Sequence, residues 1–316
     1  MSSTNLVNFS VRQNKSIERQ IVFDSLRELV VDLGVKELIY IGLGSVWFSD
    51  FILAHRDLGI EEMYSVEEDP IIYQRAKFNH PYRTVEIVKG SSERQIPRIL
   101  RREGVRGRPC VVWIDYDKAM DQNRMEELKA LVQALPDDSF LLTTCKATPR
   151  DYGASLKARA EQLQAIFGDS LDGEIEGLDL KNPDLVGRLL SNSINNKLAS
   201  AASKCGRVGG FVKAFDIRYR DGSPMVTAGG VLPAKENRAS ASLLVKSAGW
   251  QGIVKDPIET PHLTAREIAT LQAEMPRHKR LTRSRVRELG FDLEVAQIKS
   301  FQDHYRIFPR FAQVAE

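Results

Sequence analysis

Long apolar runs are missing from this 316-residue chain. None approaches the roughly 20 residues that a bilayer-spanning helix needs, so no membrane span is expected. The opening, MSSTNLVNFSVRQNKS, has no apolar h-region, and no secretory signal is expected there. Cysteine is scarce, and Cys110, Cys145 and Cys205 are odd in number and far apart. That argues against a disulfide framework and against a cysteine-based zinc site. A reducing cytoplasm is the expected location. Charge of one sign is also missing: 45 basic residues face 42 acidic ones, a net charge of +3. This excludes a strong polyanion binder acting through bulk charge. Glycine and proline, at 21 and 13, are too few for collagen-like or low-complexity classes. His262, His278 and His304 are scattered and show no metal-ligand spacing.

What is present is ordinary globular text, 42% hydrophobic and 28% charged, long enough for one large domain or two ordinary ones. The small basic excess is uneven. Between Arg277 and Arg310 there are nine Lys or Arg and four Asp or Glu, while the rest of the chain carries 36 basic and 38 acidic residues. The C-terminal end is therefore the basic part.

The N-terminal half alternates between strand and helix patterns. Residues 16 to 33 place Ile17, Ile21, Val22, Leu26, Leu29, Val30 and Leu33 on one helical face, with Ser16 as a candidate N-cap. Five short apolar runs follow. Residues 37 to 41 stop at Gly42, and residues 63 to 66 end in Glu67-Glu68-Asp69. Residues 85 to 88 end at Gly90-Ser91-Ser92, residues 110 to 114 at Asp115-Tyr116-Asp117, and residues 140 to 144 near Lys146. Helical patterns separate them, from about Trp47 to His55, Ile71 to Asn79, Glu93 to Arg102 and Asn123 to Leu135. Apolar strands with helical crossovers imply a parallel sheet covered on both faces. A later hairpin, residues 211 to 232 around Asp221-Gly222, is expected to be antiparallel. The expected fold class is α/β: a doubly wound, mostly parallel Rossmann-like sheet with an antiparallel hairpin at its edge and a C-terminal helical segment. Residues 1–232 are read as that domain, and 233–316 as a linker and basic helical region.

In such sheets ligands bind outside the carboxyl ends of the strands. Here the polar residues gather at those ends. Gly42 and Gly44, with Ser45, form a turn that lets the backbone approach a ligand, although Val46 stands where a third glycine would be. Glu67 can accept hydrogen bonds from both hydroxyls of a ribose. Ser91 and Ser92 can meet an adenine edge or cap the next helix. Asp115 can hold a divalent cation or take a proton.

The order of these elements, over residues 17 to 147 plus the hairpin, resembles class I S-adenosylmethionine-dependent methyltransferases. Gly90-Ser91-Ser92-Glu93 and Ile114-Asp115-Tyr116-Asp117-Lys118 are most similar to O-methyltransferases of the catechol and caffeoyl-coenzyme A type. The whole chain resembles bacterial proteins of an O-methyltransferase kind. The resemblance implies S-adenosylmethionine as cofactor, held by Gly42, Gly44, Ser45, Glu67, Ser91 and Ser92. It implies an oxygen acceptor whose proton is removed by Asp115 or Lys146. A family acid at the start of the glycine loop is replaced by Tyr40. The family's metal-binding Asp matches Asp115, but its companion Asp-Asn is replaced near Cys145-Lys146, so the Mg²⁺ site that the resemblance implies is incomplete. No Asn/Asp-Pro-Pro-aromatic loop of the nucleobase methyltransferases follows the fourth strand.

Three readings stay open: an active methyltransferase, a degenerate Rossmann module working in a larger assembly, and a nucleic-acid-binding protein. The last rests on two short helices around Gly290 that resemble a helix-turn-helix, with Arg277, Lys279, Arg280, Arg283, Arg285 and Arg287 as phosphate contacts. A helical lid or a dimerisation segment, hence a homo-oligomer, accounts for the same residues. The acceptor is not readable.

Overall fold

The computed structural model describes residues 12–171 and 177–309. The opening segment read for a secretory signal lies largely outside them, as does Arg310.

The first half builds β1 (Ile39–Leu43), α2 (Ser49–Leu58), β2 (Glu62–Glu67), α3 (Pro70–Asn79), β3 (Val85–Lys89), α4 (Ser92–Leu100), β4 (Cys110–Ala119), α5 (Gln122–Ala134) and β5 (Ser139–Lys146), preceded by α1 (Gln13–Asp32). Then come α6 (Leu156–Phe167), α7 (Pro183–Lys204) and the hairpin β6 (Val212–Asp221) and β7 (Ser223–Leu232). The strands form one seven-stranded sheet in the order β3-β2-β1-β4-β5-β7-β6. β1 to β5 pair in parallel, and β7 runs antiparallel to both β5 and β6. This is the α/β sheet with an antiparallel edge hairpin that the apolar runs imply. The chain reverses its strand order between β1 and β4, and that switch point opens a crevice at the strand ends.

Alternation along the strands splits the core in two. Tyr40, Met63, Val111, Trp113, Phe140 and Leu142 face one side, under α1 and α2. Ile39, Ile41, Tyr64, Val112, Ile114 and Leu141 face the other, under α4, α5, α6 and α7. Covering both faces is why the strands read as unbroken apolar runs.

Two local expectations change. α1 begins at Gln13, so Ser16 lies inside it. Its cap is tertiary: the backbone amides of Asn14 and Lys15 donate to the Asp221 carboxylate at 3.3 and 2.6 Å. An acid at a helix N-terminus satisfies unpaired amides and suits the helix dipole. Gly222, with φ of 79°, turns the hairpin tightly enough to present that acid. The second change concerns β4, which runs on through Asp115, Tyr116 and Asp117 to Ala119 instead of ending at Ile114. Its register against β5 shifts between Asp115↔Thr144 and Ala119↔Lys146, which pushes the acidic run out over the strand end.

After the sheet, α8 (Arg238–Leu244), α9 (Ala265–Ala273), α10 (Arg283–Glu288) and α11 (Val295–His304) follow. A capping box of Thr264 and Glu267 opens α9. The segment before α9 is not a bare linker. Ile253 and Ile258 form parallel bridges with Asp216 and Tyr219 on the outer edge of β6. Ile258, Leu271, Val286 and Phe301 join the same buried cluster as Phe215 and Ile217. Of the basic residues there, Arg277 pairs with Glu274, Arg283 with Asp292 and Glu294, Arg285 with Glu274 and Glu288, and Arg287 with Asp292. Among the described residues no helix is long and apolar enough to cross a membrane.

Candidate active site

The crevice at the switch point has two halves that meet at Leu43, Gly44, Asp115, Tyr116 and Asp117. One half is a broad groove of ≈ 960 Å³ towards β2, β3 and α4, lined by Glu67, Ser91, Ser92 and Lys146 among others. The other is a smaller pocket of ≈ 110 Å³ under the first turns of α1. Its walls include Lys15, Arg19, Ser45, Asp50, Trp113 and Tyr219.

In the groove, Glu67 is the last residue of β2 and only 9% exposed. Its Oε1 is buried without a hydrogen-bond partner, and so is Oγ of Ser65 beside it. Burial, followed by the charge of Asp69, raises the Glu67 carboxyl to about 8. Gly44 packs directly on this pair. A Cβ at position 44 would collide with Ser65 Oγ and come 3.2 Å from Glu67 Oε1. The second glycine is therefore required by close approach. Such a set fits a ribose: a ligand diol brings two donors to an acid that lacks them. Ser91 stands at the N-cap of α4 without making a side-chain cap, and Ser92 opens that helix. Both line the groove. Lys146 ends β5 and reaches the groove only, while Asp115 lines both halves. Ser45 falls on the α1 side, where its hydroxyl accepts a hydrogen bond from the Trp47 amide at 3.2 Å.

Sequence reasoning missed the groove acid Glu127. It accepts a 2.8 Å hydrogen bond from Tyr116, and burial raises its carboxyl. Nor did it find Asp50. Tyr40, which stands in place of the expected acid, is fully buried, and its hydroxyl donates to Asp50 Oδ2 at 2.6 Å. Burial raises the Asp50 carboxyl, and burial also pushes the Tyr40 phenol well up. The chain thus supplies an acid to the glycine turn from the first turn of α2. A Cβ at Gly42 would lie 3.3 Å from Asp50 Oδ2.

The α1 pocket holds the largest surprise. Lys15 is 3% exposed and Glu18 is 0% exposed. Lys15 Nζ lies 2.7 Å from Asp115 Oδ2 and 3.3 Å from Glu18 Oε2. It sits over the rings of Trp113 and Tyr219, 4.9 and 5.3 Å from their centroids. Glu18 is fixed by a directed chain of hydrogen bonds. Trp113 Nε1 donates to Thr144 Oγ1 at 3.0 Å. The Thr144 hydroxyl meets Thr227 Oγ1 at 2.7 Å, and Thr227 donates to Glu18 Oε1 at 2.5 Å. The indole can only donate, so every hydroxyl points the same way, towards the carboxylate. Burial outweighs the neighbouring Lys15 charge and raises the Glu18 carboxyl.

This arrangement does not suit a divalent metal at Asp115. One of its two carboxylate oxygens, Oδ2, already faces the Lys15 ammonium. Position 145, where a second acidic ligand would stand, holds the buried Cys145. Among the described residues no group of three or more His, Cys, Asp or Glu gathers to hold an ion.

Comparison with known proteins adds the family. Among curated proteins no sequence matches this one significantly. Solved structures similar to it include three methyltransferase-related or cofactor-bound proteins. Rv0187 from MTB, solved cofactor-bound, is 13% identical over 73% of this chain and 85% of its own, at a TM-score of 0.42. Trm1 from Pyrococcus horikoshii, solved with S-adenosyl-L-methionine, is 15% identical over 72% of this chain and 57% of its own, at a TM-score of 0.43. An arsenic(III) S-adenosylmethionine methyltransferase from Chlamydomonas reinhardtii is 13% identical over 64% and 65% of the two chains, at a TM-score of 0.38. A family model described as "Putative O-methyltransferase" matches residues 7–316, nearly the whole length, and the chain belongs to that family.

Proposed function

We propose that this protein transfers a methyl group from S-adenosylmethionine to the oxygen of a small hydroxylated acceptor. The observation that carries the reading is the buried, unpartnered Glu67 Oε1 beside Gly44, at the switch point of a sheet whose family is of the O-methyltransferase kind. Glu67 would hold the ribose, Ser91 and Ser92 the adenine side, and Gly42, Gly44 and Ser45 the turn across the methionyl part. Asp50, fixed by Tyr40, stands where an acid would meet the methionyl ammonium.

When bound, the cofactor supplies a methyl group on a sulfonium and keeps the carbon–sulfur electron pair after transfer. The chain has to align an acceptor in the α1 pocket and take its proton. Asp115 reaches both halves of the crevice, so it is the better placed base. Lys146 lines only the groove. The ion pairs of Arg277, Arg283, Arg285 and Arg287 favour a small acceptor over nucleic acid, since each guanidinium already meets a carboxylate.

Calorimetric titration with S-adenosylmethionine and S-adenosylhomocysteine tests the cofactor half. Micromolar binding by the wild type, lost in Glu67→Ala, is expected. A wild type that binds neither ligand at millimolar concentration overturns the reading.

A further inference from the structure

We propose that the Lys15 ammonium is the cation of the acceptor site: it fills the place beside Asp115 that a divalent metal would take, and it holds the acceptor oxygen while its proton leaves. The proposal rests on the methyltransferase reading for what is transferred, but the place of Lys15 rests on geometry alone. Its Nζ lies between two carboxylates, at 2.7 and 3.3 Å, in a pocket walled by Trp113 and Tyr219. Despite these two ion pairs the buried Nζ makes no hydrogen bond among the described residues, so its N–H donors are left for an oxygen that enters the pocket Lys15 lines. A fixed positive charge in a water-poor site stabilises an oxyanion more strongly than water does.

The chemistry balances without a further reactant. The acceptor O–H gives its proton to the Asp115 carboxylate. The oxygen's electron pair forms the new O–C bond as the C–S bond breaks. Lys15 remains an ammonium throughout. Glu18, held by the Trp113–Thr144–Thr227 chain, is a positioning residue: its carboxylate keeps the Lys15 charge in the pocket.

The apolar walls on Lys15 favour a flat acceptor, so 4-nitrophenol is a suitable probe, because its absorbance reports ionisation directly. At a pH below its own midpoint, the wild type in complex with S-adenosylhomocysteine should shift the spectrum towards the phenolate. The apparent midpoint should fall by about one unit, a tenfold change in the ionised fraction. Lys15→Arg should keep the shift, and Lys15→Met should lose it. A wild-type spectrum that stays that of the phenol, bound or unbound, overturns the proposal.

Manganese(II) gives the second arm, read by paramagnetic relaxation of water protons. The wild type should show no saturable binding. Lys15→Met, which leaves Asp115 and Glu18 facing each other without a cation, should gain a site. Saturable Mn²⁺ binding by the wild type that vanishes in Asp115→Ala overturns the proposal. Both arms also run on the protein without S-adenosylhomocysteine. A failure of the cofactor reading therefore shows in calorimetry while the role of Lys15 is still measured.

Discussion

At the β2 end of the crevice, Glu67 is buried with one oxygen unpartnered, and burial and the Asp69 charge both push its carboxyl up. At the α1 end, Glu18 is buried more deeply, yet it accepts from Thr227 and faces Lys15. Glu67 lines the groove, Glu18 lies behind Lys15 of the α1 pocket, and the two acids solve burial differently. Burying a charge is costly unless it is paired and hydrogen-bonded. Glu18 meets much of that cost within the fold: Oε1 accepts from Thr227, and Oε2, which makes no hydrogen bond, lies 3.3 Å from the Lys15 ammonium. Among the described residues, Glu67 Oε1 has neither a hydrogen bond nor a cation beside it. On the proposed function, the end whose acid has no partner is the one that would take the cofactor, and the ion-paired end is the one that would carry the chemistry.

The largest test of this contrast removes Glu18. Glu18→Ala strands Lys15 against Asp115 alone and leaves the Thr227 hydroxyl without its acceptor. Breaking a buried pair from one side costs about 3–5 kcal/mol. Denaturant unfolding should show a loss of that order, with Glu18→Gln losing less because the amide oxygen still accepts from Thr227. If Glu18→Ala is as stable as the wild type, the α1 end is not self-satisfied and the contrast fails.

Gly44→Ala probes the other end with a smaller effect. The new Cβ meets Ser65 Oγ, and Ser65 is fully buried with little room to turn. Overpacking of this kind costs about 1–3 kcal/mol. The change also pushes on Glu67, so binding of S-adenosylhomocysteine should weaken by tenfold or more in calorimetry. Unchanged affinity would remove Gly44 from the cofactor cradle.

Much of the proposed binding end was readable in the chain, and little of the proposed chemical end was. Gly44, Glu67 and Asp115 stand out because each ends or follows an apolar run, and a polar residue at a strand end has few structural reasons to be there. The same logic placed the sheet, since strands buried on both faces show no alternation to confuse with a helix. Lys15 and Glu18 carry no such mark. A buried ion pair at i, i+3 has the same spacing as an exposed one, and α1 mixes its charges among Ile17, Ile21 and Val22. Segments more than two hundred residues later cover this end of the helix: Asp221 caps it, Tyr219 lies against Lys15, and Thr260 bonds to Gln13 and Asn14. Asp50 escaped for a related reason. Tyr40 reads as the loss of an acid, and its hydrogen bond to the next helix is a tertiary fact. The extension of β4 through the acidic run was hidden because charged residues at a strand end look like the start of a loop.

The subtlest test uses pH at the unsatisfied end. Glu67 titrates near 8 in the folded protein, against 4.5 for the ordinary carboxyl. Its native state therefore holds the proton more tightly than the unfolded chain does. The stability tied to that proton is complete below about pH 4.5, and it is lost as pH rises towards 8. Glu67→Gln cannot ionise and escapes that loss. Its stability relative to the wild type should climb between pH 5 and pH 8 and level off above. Ligand binding should run the opposite way. A ribose diol donates to the carboxylate, so wild-type affinity should rise with pH up to about 8, and binding below that pH should release a proton. The ligand's own amino group titrates in the same range, and Glu67→Gln carries that shared slope, so the difference between the two profiles isolates Glu67. A difference that is flat from pH 6 to 9 would mean that Glu67 is not what receives the ribose, and the binding end would have to be sought elsewhere along the crevice.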